Sequence, residues 1–79
     1  MNGVEESKAT QRMKILQYCE EHGSITIREA FEKLFINSPS KRISEMRHSQ
    51  EYDVQTEVVK PEGKARYKRY YITAARGNA

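Results

Sequence analysis

Ser40, Lys41, Arg42, Ser44, Arg47 and His48 gather two hydroxyls, three cations and an imidazole into one short stretch of the chain. Such groups donate charge-assisted hydrogen bonds to phosphate oxygens and reach the edges of bases, so the chemistry they suit is recognition of a nucleic acid. A second set, Lys60, Lys64, Arg66 and Lys68, offers point charges with a single acid, Glu62, among them. Taken alone, either set also fits a merely solvated polar face, because charged faces are ordinary in small domains.

Bond-making chemistry finds less support. Cys19 and His22 have the spacing of half a metal site, but there is no second cysteine and the only other histidine is His48. Serine, histidine and acidic residues are present without a nucleophile-elbow setting. At 79 residues the chain makes one small domain, too small to enclose a substrate cavity. The expectation is a binding protein, not an enzyme, with no metal, cofactor or small-molecule substrate.

Charge distribution sharpens this. The formal net charge is +3, yet between Lys60 and Arg76 there are six Lys or Arg against one Glu, which points to an anionic partner for the C-terminal third. The lone Cys19 rules out an intrachain disulfide and, on an apolar helical stripe, reads as core. No apolar run approaches a membrane span and no charged-then-apolar leader opens the chain, so a soluble cytoplasmic protein with no membrane partner is expected.

The elements that must hold these groups can be read in order. Residues 1–6 have no periodic apolar pattern and are expected to be flexible. Ser7 or Thr10 caps a first helix running to about His22, with Ile15, Leu16 and Cys19 inward and Gly23 in the left-handed position that ends it. Ile25 reads as a one-rung strand. Thr26 and Glu29 then form a capping box for a second helix, in which Ile27, Ala30, Phe31 and Leu34 recur at i, i+3, i+4 and i+7. Phe35-Ile36-Asn37 makes the turn, with Asn37 best suited to an unusual backbone angle. The third helix starts at Ser38-Pro39, with Ser38 expected to cap it. Ile43 and Met46 face its core side, and Lys41, Ser44, Glu45 and His48 point away. Ser40 and Arg47 lie on one flank and Arg42 on the other.

Beyond His48 the period changes to two. Tyr52, Val54, Thr56 and Val58 alternate with polar residues, and a second strand runs from Ala65 to Thr73. Facing and turn chemistry together predict a three-residue tip, Pro61-Glu62-Gly63, with Lys60 opposite Lys64, Val54 opposite Tyr70 and Tyr52 opposite Ile72. The predicted core is Ile15, Leu16, Cys19, Ile25, Ile27, Ala30, Phe31, Leu34, Ile43, Met46, Val54, Tyr70 and Ile72. The domain is expected to span 7–73, with 74–79 a loose tail.

Helix, short strand, helix, helix, hairpin is the order of an α+β winged helix-turn-helix: three helices followed by a two-stranded antiparallel wing. Through Gly23-Ser-Ile-Thr-Ile-Arg-Glu-Ala30, Arg42-Ile-Ser-Glu-Met-Arg47 and Tyr67-Lys-Arg-Tyr-Tyr-Ile72, the chain resembles the compact helix-turn-helix domains frequent in phage and prophage genomes, over roughly Arg12 to Thr73. It departs from them at Phe35, where a Gly usually opens the inter-helical turn, and at Ser49-Gln-Glu51, which lacks the Gly that often leads into the wing. The resemblance implies duplex DNA binding, with the third helix in the major groove and the wing against the backbone.

Two functions are therefore carried forward. In the first, the protein binds DNA in transcription control, excision or replication, using Ser40, Lys41, Arg42, Ser44, Arg47 and His48 on the helix and Lys60, Lys64, Arg66 and Lys68 on the wing. In the second, the third-helix face meets a protein in a nucleoprotein assembly. Glu45 in the middle of that face would repel phosphate, although it could accept from a cytosine amino group.

Overall fold

The computed structural model describes residues 7–75; the expected flexible N-terminus, 1–6, and residues 76–79 of the expected tail 74–79 fall outside them. Helix α1 spans Lys8–His22, strand β1 Ile25–Thr26, α2 Ile27–Leu34, α3 Pro39–His48, β2 Tyr52–Val59 and β3 Tyr67–Ala74. The sheet is antiparallel in the order β1-β3-β2, with α1 against β3 and β1, α3 against β2 and α2 against β1. The winged helix-turn-helix order expected from the sequence is present.

Local signals account for most boundaries. The Ser7 hydroxyl accepts from the Thr10 backbone N–H, and Gly23, at φ 92°, closes α1 by donating to the Cys19 carbonyl. Both halves of the Thr26–Glu29 capping box form. Ser38, in contrast, makes no side-chain cap, and α3 begins on Pro39 with the Arg42 N–H donating to the Ser38 carbonyl at 3.2 Å. Strand β3 runs through Ala74, one residue into the stretch expected to be tail.

The turn between α2 and α3 corrects two expectations at once. Phe35, not Asn37, takes the left-handed conformation, at φ 58° and ψ 36°. That bend lets Ile36 donate to the Ala30 carbonyl at 3.2 Å and drops its side chain into the core, the hydrophobic contact that accompanies such helix ends. Ile36, absent from the predicted core, is 1% exposed, whereas Phe31, predicted inside, is 55% exposed. The buried stripe of α2 runs through Ala30, Leu34 and Ile27, and at roughly 100° per residue Phe31 lies a full step from fully buried Ala30. Ile15, Cys19, Ile25, Ala30, Ile36, Ile43, Met46 and Ile72 form the buried core, flanked by half-buried Leu16, Ile27, Leu34, Val54 and Tyr70.

The hairpin register also differs from the prediction. Val54 pairs with Ile72, Tyr52 with Ala74 and Thr56 with Tyr70, two residues from the expected alignment. A shift of two preserves every facing, so alternation could not distinguish these registers. Here β3 is held from its other side by β1 through Ile25 opposite Tyr70 and Thr26 opposite Arg69, and the pairing sets Val54 directly against buried Ile72. The strands separate after Val59 and Tyr67, leaving 60–66 as the connection in place of a three-residue tip. Within it the Lys64 N–H donates to the Pro61 carbonyl at 3.2 Å, which makes Pro61 the first residue of a turn whose third, Gly63, sits at φ 75°.

Candidate nucleic-acid interface

Helix α3 presents two unlike sides. Pro39, Arg42, Ile43 and Met46 are buried, a run at i, i+3, i+4 and i+7 in which Arg42 occupies a position usually apolar. Ser40, Lys41, Ser44, Arg47 and His48 are exposed, as expected. Arg42 therefore leaves the set of predicted DNA contacts. Its side chain is 8% exposed and its Nη2 lies 2.9 Å from Glu45 Oε2, while Nε has no hydrogen-bond partner.

Glu45 is likewise not an open carboxylate. Its other oxygen, Oε1, accepts from Arg12 Nη1 at 2.6 Å, so one half-buried acid ties α3 to α1 between two guanidinium groups. Arg42–Glu45 has a helical spacing that could be seen in the sequence. Arg12, from another helix, had no such signal.

Arg47 stands at the exposed end of α3 and donates from Nη2 to the Thr56 hydroxyl of β2, joining the helix to the wing. Further out, Lys60, Lys64, Arg66 and Lys68 are all exposed, with no carboxylate partner among the described residues. Arg66 and Lys68 line the same groove as Asn37 and Pro39, so the wing faces the start of α3 across it. Arg47 thus ties the exposed side of α3 to β2, while Arg66 and Lys68 share a groove with the residues that open the helix.

Over residues 10–75 the chain matches the family described as a winged helix-turn-helix domain. The chain belongs to that family. Comparison with curated proteins and with solved structures gives no match.

On the outer face of the winged helix, Arg69 donates to Ser24 Oγ at 2.8 Å, lies 3.8 Å from a Glu29 oxygen, and sits 5.9 Å over the Tyr67 ring. It joins β3 to the start of α2. Tyr71 donates to Glu57 Oε1 at 2.6 Å, and holding that proton against a carboxylate raises its pKa. Tyr52 and Tyr70 are half-buried and Tyr67 and Tyr71 exposed, matching their facing in the sequence. Cys19 is buried with its thiol toward the Tyr70 carbonyl, and burial pushes its pKa up, which disfavours the thiolate a metal would need. His22, its spaced companion, is exposed and lies 4.3 Å from the Tyr18 ring, centroid to centroid. Among the described residues no helix is long and apolar enough to cross a membrane.

Proposed function

We propose that this winged helix binds double-stranded DNA, laying the exposed face of α3 in the major groove and the wing on the phosphate backbone. The observation that carries the proposal is the pairing of surfaces: Lys60, Lys64, Arg66 and Lys68, with no carboxylate partner among the described residues, on a hairpin bonded to the exposed side of α3 through Arg47 and Thr56. A duplex major groove admits one helix, and a flanking basic arm suits the adjacent phosphates. Lys41, Ser40, Ser44 and His48 are the groups able to reach base edges, while Arg47 holds the wing at its working angle through Thr56. The wing cations contribute affinity with little discrimination.

The protein acts by binding and not by catalysis, in the cytoplasm. Its resemblance to phage and prophage helix-turn-helix domains supports a role in transcription control, excision or replication. Glu45, which slightly favours a protein partner for the α3 face, is held between Arg12 and Arg42 and so gives that second reading less weight.

A salt titration of binding to mixed-sequence duplex tests this. Each phosphate contact should add about 0.9 to the slope of log K against log salt. Affinity that ignores salt would overturn the proposal.

A further inference from the structure

Strand β3 lies in the middle of the sheet, yet β1 covers it only at Arg69 and Tyr70. The chain then leaves the sheet, because α2 begins at Ile27. Tyr67 and Lys68 are consequently paired with Val59 and Val58 on one side and, among the described residues, with no strand on the other. Alternate residues of an antiparallel strand direct their N–H and C=O away from a given neighbour, so an uncovered stretch offers backbone groups for pairing.

Beside this open edge runs a groove, with Ile27 and Phe31 of α2 on its far wall and Arg66, Tyr67 and Lys68 on its near wall. Phe31 is 55% exposed and Tyr67 41% exposed, so the groove keeps apolar surface in contact with water. Its charge is one-sided. Glu29 is engaged in capping Thr26 and Glu32 pairs with Arg28, while Lys33, Arg66 and Lys68 have no carboxylate partner among the described residues.

We infer that this groove receives an extended segment of a protein partner in which apolar and acidic residues alternate, added as a strand to the open edge of β3 beyond β1. Backbone pairing with the edge supplies affinity, Phe31 and Tyr67 take the apolar side chains, and Lys33, Arg66 and Lys68 meet the carboxylates. A duplex could use the cations but has no use for a strand edge or for the two rings. This surface is separate from the exposed face of α3, although Arg66 and Lys68 also belong to the proposed DNA surface.

A library of random linear nonapeptides, selected on the whole chain without DNA and counter-selected on Phe31→Ser, tests the inference. Peptides alternating apolar and acidic residues should be enriched. A synthesised winner should shift the Tyr67 and Lys68 amides in NMR spectra and protect the one of the two that points away from β2, and should bind at least about tenfold more weakly to Phe31→Ser and to Tyr67→Ser, both checked for unchanged melting. No enrichment over the counter-selection would overturn it, since the edge cations then serve only to prevent self-pairing. Winners that perturb α3 instead, or mixed-sequence duplex that shifts the groove amides where no peptide does, would also overturn it. Duplex binding is measured separately by salt titration, so either proposal can fail alone.

Discussion

On α3 the guanidinium of Arg42 is turned into the protein and that of Arg47 is bonded to Thr56, whereas on the wing Lys60, Lys64, Arg66 and Lys68 all stand in solvent. Both elements look equally basic in the sequence. The difference comes from what lies behind each. A helix seated on the core draws any long side chain near its buried stripe into internal contacts, and an acid on the same helix or its neighbour completes the pairing. A hairpin that projects beyond the core has no such neighbour to offer. Counting cations therefore overstates what a seated helix has available and gives a fair account of what a wing has.

The largest expected effect breaks the seat of α3. Ile36→Ala should cost about 2–5 kcal/mol, enough to unfold much of so small a domain, while Phe31→Ala should cost less than about 1 kcal/mol. Urea melts of the two variants check this, and equal losses would mean the α2–α3 turn is misplaced. Next, Arg42→Ala should lose about 1–3 kcal/mol of stability by leaving Glu45 half-buried with Arg12 alone, against no more than about 0.5 kcal/mol for Lys41→Ala. Duplex affinity, measured where both variants are folded, should fall more for Lys41→Ala. The opposite order would return Arg42 to the interface.

On the wing, Lys64→Ala combined with Arg66→Ala should leave the melting temperature nearly unchanged and flatten the salt slope by about 1.8, since two phosphate contacts go. All duplex sequences should weaken alike; a changed sequence preference would show that the wing reads bases. The smallest effect is a gain. Phe35 sits at positive φ with its ring 82% exposed, so Phe35→Gly should raise stability by about 0.5 kcal/mol, the relief of left-handed strain less the entropy of the extra glycine. A thermal melt detects it, and a lower midpoint would show that the ring contributes more than its exposure suggests.

How legible each part was follows from the range of the signal. Ser7, Gly23 and the Thr26–Glu29 box act within a few residues, and the change of period after His48 is local, so element order and most ends could be read directly. The exchange of Phe31 for Ile36 depended on how far α2 rotates before Phe35 turns the chain, and that is set by packing against other elements. The hairpin alignment hid behind its own parity, because moving two residues changes no facing, and the observed register differs in setting Val54 against buried Ile72 in place of Tyr70. The clamp on Glu45 joins residues 33 apart, beyond any spacing rule. Of the residues named for the candidate site, all but Arg42 are exposed, and exposure of a polar residue off the apolar stripe is what alternation and helical spacing can tell.

Ile72 in the core, β1 at Ile25 and Thr26, and Arg47 through Thr56 fix the base of the hairpin, while the far end carries the Pro61–Lys64 turn. Residues added or removed between 60 and 66 would thus lengthen or shorten the projection without repacking a single buried side chain. Reach and fold are separately adjustable in this molecule, which makes the connection the natural place for relatives, or a designer, to fit the same body to a differently shaped target.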